Sequence, residues 1–200
     1  MRLKIRFVEP GDCDALLALY AQYIDTAVTF ETVLPSRETF AERIAEITRA
    51  YPYLVCEEKE KRIGYAYAHR HMQRDAYQWN AELSVYLDRD FTGQGIGKKL
   101  YLTLMELLKV QGIKTVYAGV TIPNEKSEKL HATLGFTQIG VYHNAGYKAG
   151  QWRSVSWFEK QISSYDKNPL PFRPLCEFSR QELERILQNI KLSGGRTNEW

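Results

Sequence analysis

The segment around residue 95 limits the possible folds most strongly, because it joins a strand pattern to a helix pattern through several glycines. Residues 80–87, NAELSVYL, alternate apolar and polar side chains with the period of two typical of a half-buried strand. The stretch 91–100, FTGQGIGKKL, follows directly, and its glycines are Gly93, Gly95 and Gly97. The next residues carry one apolar helical face, formed by Ile96, Leu100, Leu104, Leu107 and Leu108. A glycine-rich turn from a strand into a helix exposes backbone N–H groups that can bind an anion.

Neither common nucleotide-binding loop fits this segment. A Walker A loop needs four residues between its first glycine and its Gly-Lys pair, but only three separate Gly93 from Gly97, and Lys99 occupies the position of the hydroxyl residue. The dinucleotide motif GxGxxG needs its third glycine at position 98 or 100, which Lys98 and Leu100 occupy. The spacing alone therefore fits two structures, a phosphate site with charge from Lys98 and Lys99, or an ordinary loop with glycines for close packing.

The remaining patterns predict an α/β protein with a mixed central sheet and helices on both faces. The predicted order is β, α, α, β, β, β, α, β, α, β, β, with Asp12, Ser36 and Asn124 as helix N-caps. The stretch YDKNPLPFRPL holds three of the seven prolines and predicts an extended linker. A helix from about Ser179 to Leu192 follows and is expected to pack on its own domain or on a second copy. We therefore expect a domain at 1–164 and a C-terminal extension at 165–200.

Composition excludes several classes of protein. A chain of 200 residues with 44% hydrophobic residues and a net charge of +3 predicts one globular domain without the clustered basic stripe of a nucleic-acid-binding protein. Cys13, Cys56 and Cys176 are far apart, which predicts neither disulfides nor a zinc site. The N-terminus lacks a signal-peptide pattern, and no apolar run is long enough to span a membrane. A cytoplasmic protein without nucleic-acid or membrane partners is expected.

The glycine loop resembles a known acyl-CoA site. TGQGIG, at 92–97, is similar to the R/QxxGxG/A pyrophosphate loop of the GCN5-related N-acetyltransferases (GNAT), although Thr92 replaces the usual Arg or Gln. The chain is most similar to the phosphinothricin N-acetyltransferase branch, over residues 1 to about 162. The stretches that carry this resemblance include YIDTAVTFET, GYAYAHRHMQRDAYQWNAELSVYL, PNEKSEKLHATLGF and NAGYKAGQWRSV. The resemblance implies the GNAT acyl-CoA N-acyltransferase fold, acetyl-CoA as co-substrate and no metal.

Two residues are candidates for catalysis. Glu82 lies on the strand before the loop, on the face opposite Ala81 and Leu83, and matches the acidic residue of the family. A carboxylate there could remove the proton from an acceptor ammonium group. His131, in LHATLGF, occupies the place where many GNAT enzymes have a tyrosine that protonates the leaving thiolate, and its role as acid, base or positioning group stays open. Without the resemblance, both would be interpreted as surface residues.

The resemblance also implies binding residues. Backbone groups of Val85, Tyr86 and Leu87 would bind the pantetheine arm. The phosphates would contact the loop residues Gly93, Gln94, Gly95, Ile96, Gly97 and Lys98, with Asn124 as a further cofactor contact. On the acceptor side, Arg74 would bind a carboxylate, while Phe30 and Tyr77 would form the walls of the pocket.

The predicted reaction is direct acetyl transfer to the α-amino group of a small amino-acid-like acceptor, such as phosphinothricin, methionine sulfoximine or methionine sulfone. Acetylation of protein N-termini or of polyamines is an alternative, and so is a non-catalytic CoA-binding regulatory module. A homodimer is expected.

Overall fold

The computed structural model describes residues 3–194, and these residues form one twisted sheet flanked by helices. The strands are β1 (Leu3–Phe7), β2 (Tyr53–Glu58), β3 (Lys61–Arg70), β4 (Asn80–Leu87), β5 (Thr115–Ile122), β6 (Thr137–Lys148) and β7 (Gln151–Gln161). They are ordered β1-β2-β3-β4-β5-β7-β6. Neighbouring strands are antiparallel except β4 and β5, which are parallel, so the sheet is mixed as predicted.

The helices cover both faces of the sheet. They are α1 (Cys13–Ala21), α2 (Arg37–Ala50), α3 (Ile96–Val110), α4 (Glu125–Thr133) and α5 (Arg180–Gly194). Helices α1 and α2 bury one core cluster with the tyrosine-rich face of β2 and β3, whereas α3, α4 and α5 contribute to the core cluster on the opposite face. The predicted order of elements is confirmed, and the last helix lies close to its predicted position.

Two local predictions need correction. The first helix, predicted to include Ile24, ends at Ala21 and is followed by turns. Asp12 precedes this helix but does not cap it with its side chain; its carboxylate accepts hydrogen bonds from Arg6 and Arg62 instead. An ion pair with two guanidinium groups is stronger than one bond to a helix N–H group, which explains the difference. Ser36 and Asn124 cap their helices as predicted.

The parallel strands β4 and β5 are paired over only three residues each and then diverge. Its ladder joins only the pairs Asn80–Thr115, Ala81–Val116 and Glu82–Tyr117. Beyond Glu82 and Tyr117 the two strands have no further paired residues, although both continue for five residues. The gap between 83–87 of β4 and 118–122 of β5 is called the wedge below, and Glu82 lies at its apex.

The C-terminal extension packs on its own domain. The ring of Phe172 stacks on Tyr51 with 4.9 Å between centroids, and the Gln111 side chain donates a hydrogen bond to the Arg173 carbonyl at 3.0 Å. Leu187 of α5 is buried. The extension therefore packs on the domain from Phe172 to Ile190. No helix in the described range is both long and apolar enough to cross a membrane.

Candidate active site

The register of β4 determines which backbone groups face the wedge. The Asp88 N–H donates to the Ile63 carbonyl at 2.9 Å, which makes the neighbouring pair Gly64–Leu87 a non-hydrogen-bonded pair. The alternation then directs the N–H and C=O groups of Leu83, Val85 and Leu87 toward the wedge and those of Tyr86 toward β3. Of the three predicted backbone contacts, two have the required orientation, and Tyr86 can contribute only through its side chain.

Two of the three wedge carbonyls are already bonded. The Leu83 carbonyl accepts a hydrogen bond from the Tyr101 hydroxyl at 3.3 Å. The Tyr23 hydroxyl donates to the Leu87 carbonyl at 2.5 Å, so the N–H groups of Leu87 and Val85 and the Val85 carbonyl remain for a ligand. A chain with amide groups could bind there in the manner of an added strand.

The glycine loop lies at the end of β4 and forms the start of α3. Gly93 and Gly95 have φ angles of +77° and +78°, which other residues rarely adopt, and Gly95 is the N-cap of α3. Gly97 differs from them, because its φ angle is not positive and a Cβ atom there would lie 3.4 Å from Leu130 of α4, an ordinary van der Waals distance. The N–H groups of Ile96, Gly97 and Lys98 start the helix and have no carbonyl four residues earlier within it. The loop therefore has the features of an anion site.

Asn124 lies opposite this loop, at the start of α4. Its side-chain oxygen accepts from the Ser127 N–H at 3.2 Å, and Glu128 accepts from the Asn124 N–H at 2.8 Å. The side-chain NH₂ of Asn124 is thereby oriented while it remains a donor. The ammonium group of Lys126 lies 3.4 Å from the Thr92 hydroxyl, which places a further cation at the loop.

Glu82 lies between two histidines that were not predicted as site residues. Its carboxylate is 3.3 Å from Nδ1 of His71 and 3.9 Å from Nε2 of His69. The Glu82 side chain is 22% exposed, so it is partly desolvated but accessible. The position of Glu82 on the face opposite the buried Ala81 and Leu83 agrees with the predicted alternation.

His71 is held in place by aromatic side chains from two other strands. Its ring stacks on Tyr117 of β5 with 4.3 Å between centroids and an interplanar angle of 13°. Its edge contacts Trp157 of β7 at 5.5 Å. These contacts fix the imidazole beside Glu82 across the apex of the wedge. The indole Nε1 of Trp157 is buried without a hydrogen-bond partner among the described residues, so a donor is available next to this cluster.

His131 is deeply buried, at 1% exposure, so it does not lie on the solvent-exposed face of its helix. Nδ1 is 2.8 Å from the Ser127 carbonyl, which can only accept, so Nδ1 carries the proton. Nε2 is then an acceptor, and it has no partner within the described part of the chain. Burial lowers the pKa of His131 below 6.5, and the bond to Ser127 opposes this shift only partly. The imidazole is therefore neutral at neutral pH.

His131 lies near the wedge, on the face of the sheet opposite Glu82. Its ring stacks on Phe158 at 5.3 Å, and Phe158 is paired with Ala118, the first residue of β5 inside the wedge. On the β4 side, Tyr101 contacts the imidazole at 5.5 Å between ring centroids and donates its hydroxyl to the Leu83 carbonyl at 3.3 Å. Glu82 and His131 thus approach the apex of the wedge from opposite faces of the sheet.

The predicted acceptor residues lie on two loops. Phe30 packs on Gly146 of β6, where an added Cβ would lie 2.8 Å from the ring, and the nearby Thr29 carbonyl accepts a hydrogen bond from buried Lys148 at 2.6 Å. Arg74 and Tyr77 belong to the exposed segment between His71 and β4, with Tyr77 42% exposed. The structure connects Phe30 firmly to the β6–β7 hairpin, whereas Arg74 and Tyr77 remain on the surface.

The histidines next to Glu82 could have been found from the strand periodicity. Tyr65, Tyr67 and His69 alternate on one face of β3, and His71 continues the same spacing. The antiparallel pairing of β3 with β4 then places His69 opposite Glu82. Tyr117 and Trp157 carried no comparable signal, because their approach depends on the pairing of β4, β5 and β7.

The fold and the site together fit a protein that binds a phosphate-bearing ligand with an amide-containing arm in the wedge, next to the Glu82 carboxylate at its apex. Residues 5–157 match the family model described as an acetyltransferase (GNAT) domain. Because the match covers more than half of the chain, the protein belongs to the GNAT family and is an N-acetyltransferase.

Several known proteins are similar to the chain over most of its length. The phosphinothricin N-acetyltransferase of Streptomyces viridochromogenes is 32% identical over 88% of this chain and 96% of the relative. The protein of the same name from Alcaligenes faecalis is 36% identical over 81% and 84%. A methionine sulfoximine and methionine sulfone acetyltransferase of Salmonella typhimurium is 28% identical over 82% and 96%.

A solved structure confirms the fold. The phosphinothricin acetyltransferase of Sinorhizobium meliloti, determined in complex with acetyl-CoA, has a TM-score of 0.80 and 27% sequence identity. The comparison covers 88% of this chain and 99% of the other.

Proposed function

We propose that the protein transfers an acetyl group from acetyl-CoA to the α-amino group of a small amino-acid-like acceptor of the phosphinothricin, methionine sulfoximine or methionine sulfone type. The observation that carries this proposal is Glu82 at the apex of the wedge, between His71 and His69 at 3.3 and 3.9 Å. The names of the similar enzymes support the acceptor class.

The residues of the wedge and of the glycine loop fit acetyl-CoA. The backbone groups of Val85 and the N–H of Leu87 would bind the amides of the pantetheine arm. The first N–H groups of α3, from Ile96 to Lys98, would bind the pyrophosphate, together with Gly93, Gln94, Gly95 and Asn124. When bound, acetyl-CoA would supply a thioester. As the C–N bond to the acceptor forms, the C–S bond breaks, and the CoA thiolate leaves and takes up the second proton released by the acceptor nitrogen, so that the products are the amide and the CoA thiol.

Glu82 acts as the base in this proposal. An alkyl ammonium group is mostly protonated at neutral pH, so its proton must be removed before the nitrogen can attack. The carboxylate of Glu82 takes that proton, directly or through a water molecule, and His71 holds the carboxylate in position by donating from Nδ1. On the other face of the sheet, Nε2 of the neutral His131 ring accepts a hydrogen bond, because the ring proton is on Nδ1 and is donated to the Ser127 carbonyl.

Acceptor turnover by matched variants tests this proposal. Release of the CoA thiol is measured for wild type, Glu82→Gln, His71→Phe and His71→Asn across amino-acid sulfones and sulfoximines, free amino acids, polyamines and short peptides. Glu82→Gln is expected to lower kcat/KM for the acceptor by about 10²- to 10⁴-fold, the usual contribution of a general base. His71→Phe keeps the stacked ring without its donor and is expected to lower kcat about 5- to 10-fold, while His71→Asn restores part of the loss.

The same panel separates the alternatives. Tight binding of acetyl-CoA without turnover of any acceptor would favour a regulatory module. Preferred turnover of peptides or polyamines would replace the amino-acid acceptor, and full turnover by Glu82→Gln would exclude Glu82 as the base. The KM for acetyl-CoA serves as the control, since neither Glu82 nor His71 is proposed to contact the cofactor.

The homodimer is also part of the proposal. Strand β6 is the outer strand of the sheet and is exposed along most of its 12 residues, including Ile139 and Tyr142 at 49% and 60% exposure. An exposed edge strand of this length is usually covered in a native protein. Light scattering of the purified protein would show twice the mass of the chain if a second copy covers this edge, and the mass of one chain if it does not.

A further inference from the structure

The hydroxyl of Tyr101 lies at the wedge, on the same face of the sheet as His131. Tyr101 belongs to α3 and is 2% exposed. Its hydroxyl donates to the Leu83 carbonyl at 3.3 Å. Bonds of this type are usually about 2.7–2.8 Å long, and a hydroxyl hydrogen rotates about its C–O bond. The Tyr101 hydroxyl can therefore turn to a better acceptor in the wedge. Burial raises the pKa of Tyr101 well above 10, so the hydroxyl keeps its proton.

Tyr101 and His131 offer complementary polar atoms. Their rings are in contact, with 5.5 Å between centroids. Nε2 of His131 is a buried acceptor without a partner among residues 3–194, whereas Tyr101 supplies a donor. Because buried polar groups in native proteins are nearly always bonded, a partner for both must accept one hydrogen bond and donate another. A thiol does both through its S–H group, whereas the sulfur of a thioester has no hydrogen to donate.

The sulfur of a pantetheine arm bound in the wedge can reach this pair. The glycine loop lies at the end of β4, so the arm runs from the loop toward the apex, past Val85 and then Leu83. Three bonds separate the last amide nitrogen of the arm from the sulfur, a span of about 4 Å. The Val85 N–H and the Leu83 carbonyl are little more than one residue apart along the strand, which is also about 4 Å. An arm bonded at Val85 therefore brings its sulfur level with the Leu83 carbonyl, where the Tyr101 hydroxyl lies.

We infer that Tyr101 and His131 bind the leaving sulfur of CoA, with Tyr101 donating to the thiolate and His131 accepting from the thiol. This inference rests on the proposed function. As the C–N bond forms, the electron pair of the C–S bond passes to the sulfur, and the Tyr101 hydroxyl turns to it from the Leu83 carbonyl. The second proton of the acceptor nitrogen then reaches the sulfur, and the new S–H group donates to Nε2 of His131. Tyr101 keeps its own proton. Its bond to the charged sulfur is stronger than any bond to the thioester, which favours the transition state.

The rate of acetyl transfer in a single turnover tests the role of Tyr101. Tyr101→Phe removes the hydroxyl and keeps the ring, so the rate is expected to fall about 10- to 30-fold, the usual effect of losing a hydrogen bond to a charged group. The Kd of acetyl-CoA is expected to stay unchanged, because the thioester sulfur makes no comparable bond. Tyr51→Phe is the matched control. Tyr51 is a buried tyrosine of the same core cluster, and its ring stacks on Phe172 of the extension.

Binding of CoA and of desulfo-CoA, in which hydrogen replaces the thiol, tests the contact without turnover. Calorimetry gives the ratio of the two dissociation constants for each protein. Tyr101→Phe is expected to reduce the preference for CoA about 3- to 10-fold, whereas Tyr51→Phe keeps the wild-type ratio. His131→Phe keeps an aromatic ring against Phe158 but lacks the Nε2 acceptor, and it is expected to reduce the preference about 3-fold. A purely structural role of either residue would change both dissociation constants alike.

The outcomes distinguish this inference from the proposed function. If the wild type binds neither CoA nor acetyl-CoA, the proposed function fails and the inference fails with it. If the wild type transfers the acetyl group but Tyr101→Phe keeps both its rate and its preference for CoA over desulfo-CoA, the inference is wrong and the proposed function stands. Equal weakening of CoA and desulfo-CoA in Tyr101→Phe would also overturn the inference, since it would show a general disturbance of the wedge; melting temperatures of all variants check for this.

Discussion

At the scale of single residues, Glu82 has a direction set by its own strand and neighbours supplied by other strands. It lies on the face opposite Ala81 and Leu83, because successive strand residues point to opposite sides. The neighbours of Glu82 come from distant positions, such as Tyr117 and Trp157 around His71. Those contacts depend on strand pairing, which local periodicity does not encode.

The residue that departs most from its expected surroundings is His131, and its burial has a consequence for stability. The folded pKa of His131 is lowered below 6.5, so the unfolded chain binds a proton that the folded chain excludes as the pH falls. The stabilisation from the neutral imidazole is thus present above pH 6.5 and is lost as the pH falls toward the folded pKa. Wild type is expected to lose more thermal stability between pH 7 and pH 5 than His131→Tyr, which has no group titrating there.

The measurement is the melting temperature of both proteins across this pH range at constant ionic strength. The difference between the two curves isolates His131 from the other titrating groups, which both proteins share. Parallel curves would show that His131 is charged or accessible in the folded state. That result would return it to consideration as the acid that protonates the leaving thiolate.

At the scale of elements, the glycine loop could be predicted and the wedge could not. The strand pattern, the glycines and the helix pattern follow one another directly in the sequence. Gly93 and Gly95 have the positive φ angles that such a turn requires. The wedge exists because the β4–β5 ladder ends at Glu82 and Tyr117. Both strands have continuous strand patterns beyond that point, so their separation arises from the packing of the whole sheet.

The loop glycines allow a prediction at this scale. A Cβ at Gly93 or Gly95 would meet no atom within 4 Å, so alanine at either position is disfavoured by backbone conformation alone. That cost is about 1–2 kcal/mol per residue, and relief of the strain would turn the N–H groups away from the pyrophosphate. Gly93→Ala and Gly95→Ala are expected to raise the KM for acetyl-CoA roughly 10-fold with little change in the acceptor KM.

Gly140→Ala is the control for this experiment, because its Cβ would also meet nothing within 4 Å while its φ is not positive. Initial rates at varied acetyl-CoA, with circular dichroism to check folding, provide the measurement. A normal acetyl-CoA KM in both loop variants would contradict the assignment of this loop to the pyrophosphate.

At the scale of the whole molecule, the boundary predicted at residue 164 separates two sequence patterns, but the structure joins the two parts closely. Phe172 stacks on Tyr51, a pair whose members are far apart in the sequence and carry no local signal of their contact. The extension also holds the segment before β4: the Trp79 indole donates to the Leu170 carbonyl at 2.8 Å, and the Gln78 side chain accepts from the Phe172 N–H at 3.0 Å. That segment carries Arg74 and Tyr77 of the proposed acceptor site.

Two truncations separate the contributions of the linker and of α5. A chain ending at Phe178 loses Leu187, which is 6% exposed, together with the partly buried Ile186 and Ile190, and is expected to melt about 5–10 °C lower. A chain ending at Ser164 also loses the bonds to Gln78 and Trp79, so its acceptor KM is expected to rise several-fold while the chain ending at Phe178 keeps the wild-type value. Differential scanning calorimetry and acceptor kinetics measure the two effects separately. Equal melting temperatures for all three chains would show that residues 1–164 are sufficient for stability, and an unchanged acceptor KM in the shortest chain would remove the extension from the support of the acceptor site.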